Sequence, residues 1–107
     1  MPLRTQLLQI QEILPSERKN KRLKALMTNG TEIHFGQKNG FTYVDEKDKT
    51  KRYNYFARHM ANKKEKELIT NLVPSPALFS SMILWGKYDD IDKNKDLLNK
   101  LFRMKYI

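Results

Sequence analysis

Two runs of alternating hydrophobicity joined by Asn-Gly constrain this chain more than anything else in it. "RLKALMT" sets Leu23, Ala25 and Met27 against Lys24, Leu26 and Thr28; after Asn29-Gly30, "TEIHFG" sets Ile33 and Phe35 against Glu32 and His34. A period of two belongs to a strand with one face in the core. Asn-Gly between two such runs predicts a hairpin closed by a type I′ turn, which needs positive φ at both central residues. "QKNG" (37–40) repeats the turn chemistry and leads into "FTYVD" (41–45), which predicts a third antiparallel strand with Phe41, Tyr43 and Val44 inward.

Helical spacing accounts for much of the remainder. In "TQLLQIQEIL" (5–14), Leu7, Ile10 and Leu14 recur at three and four residues, as on a short amphipathic helix. The alternation of Leu8 and Ile10 suits a strand equally. Pro15 ends this segment, and "SERKNKR" (16–22) reads as a charged connector. Asp48 or Thr50 caps a helix whose apolar side carries Tyr53, Phe56, Ala57 and Met60; Arg52, Tyr55, His59 and Asn62 lie on its flank, with Lys51 and Arg58 opposite. "NKKEKE" (62–67) ends or frays it.

Ser75-Pro76 opens an apolar helix reaching Trp85, stopped by a left-handed Gly86. It is too short to span a membrane and so forms the centre of the core, Trp85 included. A last helix over 90–104, capped by Asp89 or Asp90, turns Ile91, Leu98 and Phe102 inward and Asp92, Asp96, Asn99, Lys100 and Arg103 to water. The expected fold is α+β: a small three-stranded antiparallel meander packed against three or four helices. Residues 1–21 read as an N-terminal helix and basic connector, and 22–107 as the compact domain.

Composition narrows the function classes. The chain has no cysteine, which removes disulfides and thiolate metal sites, and no apolar run long enough for a membrane span. No signal-peptide pattern opens it, so the expected setting is intracellular. Its 21 Lys and Arg against 12 Asp and Glu give +9. Residues 17–66 hold 14 of those cations and 6 of the acids, a net of +8, which leaves only +1 elsewhere. So uneven a distribution suits a polyanionic partner.

The order of these segments resembles a family of small proteins of unknown function found in nucleocytoplasmic large DNA viruses and some algae. The matching residues are Gly30, His34, Phe35, Gly36, Asp48, Tyr55, Arg58, His59, Ser81, Ile83, Leu84 and Trp85, within residues 22 to about 102. "PSPALFSS" stands where that family has a small-residue turn, and the first twenty residues stand as an extension. The resemblance implies a viral protein of about this fold, placed in the host-cell cytoplasm, a viral factory or the virion. It brings no activity.

Candidate chemistry is sparse. His34 and His59, even joined by Asp45 or Asp48, fall short of a convergent metal set, and His34 reads as a hydrogen-bonded edge residue. "DDIDKNKD" (89–96) spaces acids like a calcium loop, but Lys95 stands where glycine is needed and Leu101 where a bidentate Glu is needed. No phosphate-cradling glycine loop or nucleophile elbow is present, so a non-enzymatic protein without cofactor or metal is expected.

Arg58 and Lys51 suit a phosphate grip, with Tyr55 or His59 stacking on a base; the structural alternative pairs Arg58 with Asp45 or Asp48 and His59 with a hairpin carbonyl. The predicted nucleic-acid contacts are Arg18, Lys19, Lys21, Arg22, Lys24, Lys49, Lys51, Arg52, Arg58, Lys63 and Lys64, acting without base readout. A second expectation is a structural adaptor, such as a minor capsid or core component, that binds acidic viral proteins with the N-terminal helix as docking arm.

Overall fold

The computed structural model describes residues 8–106. Three antiparallel strands, β1 (Ile10–Pro15), β2 (Lys21–Met27) and β3 (Glu32–Gln37), form an open sheet in the order β1-β2-β3. Ala25 on the central strand faces Ile13 on one side and Ile33 on the other. The alternation in the central hairpin is therefore read correctly: Ala25, Met27 and Phe35 are buried, and Leu23 and Ile33 pack against them.

The turn differs from the expected type I′. Gly30 N–H donates to the Met27 carbonyl (3.0 Å), Met27 N–H donates to the Thr31 carbonyl (2.9 Å), and Gly30 alone in the turn takes positive φ, at 88°. This is a type I turn followed by a left-handed glycine bulge, which asks nothing unusual of Asn29.

The third strand comes from the other end of the chain. Residues 10–15 form β1, not a helix, because pairing with β2 satisfies backbone groups that a bare hairpin edge would leave open. The segment 10–21 is thus built into the sheet and is no separate arm; Leu7 lies outside the described residues. "FTYVD" is no strand. Thr42 stands at the N-cap of a short helix, α1 (Tyr43–Glu46), with its N–H and hydroxyl both donating to Asp45 Oδ2 (2.7 and 2.8 Å). Phe41, expected inward, is 72% exposed.

Helix α2 (Lys49–Ala61) begins where Asp48 Oδ1 accepts from the N–H groups of Thr50 and Lys51. Its inward face is only partly the predicted one, with Phe56 and Met60 half-buried as expected. Tyr55 is buried, with Arg52, Phe56 and His59 half-buried beside it, while Tyr53 and Ala57 face water. Arg52 fixes this rotation: its Nε donates to the carbonyls of Trp85 (3.0 Å) and Gly86 (2.9 Å). Asn62 then caps a further helix, α3 (Lys63–Thr70), so "NKKEKE" starts a helix instead of fraying one.

Helix α4 (Pro76–Phe79) opens as expected, with Ser75 Oγ accepting from Leu78 N–H. It runs into a π-helical turn, Ser80–Leu84, closed by Trp85 N–H on the Ser80 carbonyl. Gly86 is not left-handed. It is glycine for space, since a Cβ there would lie 2.1 Å from the Met82 carbonyl oxygen.

Helix α5 (Ile91–Tyr106) completes the core with Leu98 and Phe102. Asn99, expected in water, instead clasps the backbone of Ile10: Oδ1 accepts from its N–H (2.7 Å) and Nδ2 donates to its carbonyl (3.0 Å). The core lies between one sheet face and the α4–π segment and α5, with Phe35 against Phe79 at 5.6 Å between ring centroids. No helix among the described residues is long and apolar enough to cross a membrane.

Candidate nucleic-acid interface

One cleft of about 1010 Å³ opens where the end of the β2–β3 hairpin faces α2, α3 and the start of α4. Its floor is aromatic. The half-buried Trp85 stacks on Tyr55 at 4.5 Å between centroids and 9° between planes, and His59 lies across Tyr55 at 4.1 Å and 37°. Offset ring pairs of this kind add about 0.5–1.5 kcal/mol beyond burial.

His59 is held in turn by Nδ1 on the Glu65 carboxylate at 2.5 Å. The Tyr55 hydroxyl meets Ser81 Oγ at 3.2 Å; burial is the main cause that pushes its phenol above the ordinary value, so the ring stays neutral.

The rim is cationic. Lys21 enters from β2, Lys51 and Arg58 from α2, and Lys64 from α3. Asn20, Asn54 and Asn62 stand among them, and Phe41 faces them. Four cations against one lining carboxylate, Glu65, leave +3 with His59 neutral. Among the described residues no carboxylate pairs with Lys21, Arg58 or Lys64; Lys51 meets Glu46 at 2.8 Å, an exposed pair that contributes little.

The other predicted contacts are placed elsewhere or engaged otherwise. Arg22 makes a two-pronged pair with Asp45 (both 2.7 Å), which with the Thr42 donors pulls the Asp45 carboxyl down to about 2. Asp45 therefore belongs to Arg22, not to Arg58. Lys24 binds Glu17 (2.8 Å) and lies 3.8 Å from Glu32. Arg52 is turned to the backbone of Trp85 and Gly86. Lys49 lies on the far side of α2, in a basin of about 440 Å³ shared with Lys87 and three aromatic rings. Arg18, Lys19 and Lys63 are exposed and outside the cleft. Of the eleven predicted contacts, Lys21, Lys51, Arg58 and Lys64 thus meet at the cleft and the other seven do not.

The two histidines are apart. His34 Nδ1 bonds Ser16 Oγ at 2.7 Å, and its Nε2 lies 3.8 Å from Glu17 and 3.9 Å from Glu32. Ligand atoms of Glu17, Glu32 and His34 fall within 4.8 Å of one another, but the Lys24 ammonium already sits against both carboxylates and offsets one of their two charges. In the acidic run 89–96, Asn94 turns into the core: its Nδ2 donates to the carbonyls of Ile83 and Tyr88 (2.8 Å each), and its Oδ1 accepts from Tyr88 N–H (2.9 Å).

Sequence reasoning missed Phe41 and Trp85 as cleft residues. The signal for Phe41 was the Thr42-x-x-Asp45 spacing, a helix-start pattern that leaves the residue before it outside the helix.

Fold and cleft together define a small basic α+β domain with an aromatic-floored, cationic concavity. Residues 11–59 match the model of a family of unknown function (DUF5754). The match starts inside β1 and ends at His59, so it spans the sheet and the α2 wall of the cleft. It also takes in residues 11–21, which lie outside the resemblance noted from the sequence. No curated protein and no solved structure matches the chain.

Proposed function

We propose that this protein binds nucleic acid through the cleft, by charge and without reading sequence, and performs no chemistry on it. One observation carries this reading: Lys21 from β2 and Lys51, Arg58 and Lys64 from residues 51–64 converge on the rim of a single concavity. Lysine and arginine side chains so placed neutralise phosphates and release counterions, which gives affinity independent of sequence. A setting in the virion or replication factory of a large DNA virus belongs to the same proposal, and its support is the residue pattern alone.

The adaptor reading loses its specific argument, because Ile10 is buried and Leu8 packs on the core. What supports the binding reading over it is the charge left at the cleft.

The experiment is a fluorescence-anisotropy titration of labelled oligonucleotides across a salt series. Three or four neutralised phosphates predict a slope of log K on log salt of roughly −2 to −4. Charge reversal of Lys21, Arg58 and Lys64 together removes most of that slope. Absence of binding at low salt, or binding indifferent to those reversals, overturns the proposal.

A further inference from the structure

We infer that the preferred ligand of the cleft is a single strand, with Phe41 as the side chain that stacks on one of its bases. This rests on the nucleic-acid reading above and specifies its substrate class.

Phe41 is 72% exposed and lies at the edge of the cleft, where its ring face is open to a ligand. Its backbone is nonetheless pinned on both sides. On one side Gly40 N–H closes a turn on the Gln37 carbonyl (3.1 Å). On the other, Thr42 is buried and bonded through N–H and hydroxyl to Asp45, itself gripped by Arg22 from β2. The backbone beneath the ring is thus fixed, so stacking a base on it orders only the side chain. Arg22 and Asp45, on this reading, are positioning residues for Phe41.

The cleft's size selects the strand state. About 1010 Å³ is the top of the range that single small ligands occupy, roughly 300–1,000 Å³. That is space for a few unpaired nucleotides between sheet and helices, whereas a duplex presents only its outer backbone and keeps its base faces stacked inside. Aromatic residues within a cationic groove are the features single-strand sites share, because every base has a π-face. The amides of Asn20, Asn54 and Asn62 supply donors and acceptors to whichever base edges reach them.

The test compares a 12-nucleotide oligo-dT, the matching oligo-rU and a 12-base-pair duplex, each titrated by anisotropy, with Trp85 emission followed in parallel. Trp85 is the sole tryptophan and lines the cleft, so it reports occupancy directly. Expected are tighter binding of the single strands than of the duplex and quenching of Trp85. Phe41→Ala weakens the single strands roughly 5- to 100-fold, leaving the salt slope and the duplex affinity as they were. Phe41→Trp retains the affinity.

Because the ring is exposed, the alanine variant keeps the fold, which an unchanged melting temperature verifies. Single-strand affinity within twofold of wild type for Phe41→Ala overturns this inference, as does equal binding of duplex, or binding without quenching. Single strands bound with steep salt dependence but indifferent to Phe41 overturn it alone; no binding of any oligonucleotide overturns the cleft reading with it.

Discussion

Replacing Asn94 tests how the cleft floor is held. Asn94 is 1% exposed and ties the end of the π-helical turn to the loop after it, through Ile83 O, Tyr88 O and Tyr88 N–H. Trp85 sits between those anchors. Asn94→Ala removes three hydrogen bonds worth about 1 kcal/mol each and leaves the Ile83 carbonyl without this donor, so a loss of about 3 kcal/mol is expected. In a domain of this size that lowers the melting temperature by roughly 12–20 °C.

Asn94→Asp keeps the shape but sets an acceptor against two carbonyls, and at neutral pH it costs at least as much as alanine. Its carboxyl, desolvated among acceptors, titrates above the unfolded value of about 3.9. The variant is therefore best relative to wild type below that pH and declines as pH rises through the folded value. Thermal and urea unfolding by circular dichroism at pH 4 and pH 7 measure both effects. An alanine loss under about 1 kcal/mol, or an aspartate variant as stable at pH 7 as wild type, refutes the accounting.

Two more outcomes follow from bonds already described. Asp45, drawn down to about 2 from 3.8 chiefly by Arg22, contributes stability that is complete above about pH 4 and lost as pH falls towards 2. Discounted for its partial exposure, the contribution is about 1–2 kcal/mol; Asp45→Asn flattens that acid limb in urea titrations between pH 2 and 6. Tyr55→Phe gives up only the Ser81 contact but leaves that buried hydroxyl without its ring partner, and costs about 1–2 kcal/mol. Tyr55→Ala removes the ring beneath Trp85 and costs about 3 kcal/mol, with a shift of Trp85 emission, both read in one unfolding series.

The hairpin was legible because its pattern is local: seven residues of β2 alternate, and six of β3 answer across a turn signal. The third strand was not, for a physical reason at each end. In residues 5–14 the helical and strand periods fit almost equally well, and only pairing with β2 decides between them. In "FTYVD" the strand propensity of Thr42, Tyr43 and Val44 is overridden by a cap that Arg22 secures from 23 residues away.

The roll of α2 was hidden for a related reason. Hydrophobicity ranks Tyr53 and Ala57 with Tyr55, whereas the inward face includes Arg52 and His59. Those polar groups can be drawn inward because the Trp85 and Gly86 carbonyls and Glu65 receive them. Arg22, Lys24 and Arg52, assigned to the interface from the sequence, each answer instead to a partner elsewhere in the fold.

The same logic governs the charge. Of the acids in residues 17–66, Glu17 and Glu32 sit against Lys24, Asp45 holds Arg22, Glu46 meets Lys51, Glu65 holds His59, and Asp48 caps α2. Each carboxylate is engaged in a fold contact, and most of these contacts lie away from the cleft. The excess of +8 in this part of the chain is therefore sorted, not merely large. At physiological salt, charges sum only over about 8 Å, so a distant lysine adds little to the potential a phosphate meets. Net charge, the property most visible in the sequence, is then a poor guide to the potential at the cleft. That potential is set by which cations the carboxylates leave there, a selection made by β1, α1 and the cap of α2 as they fold.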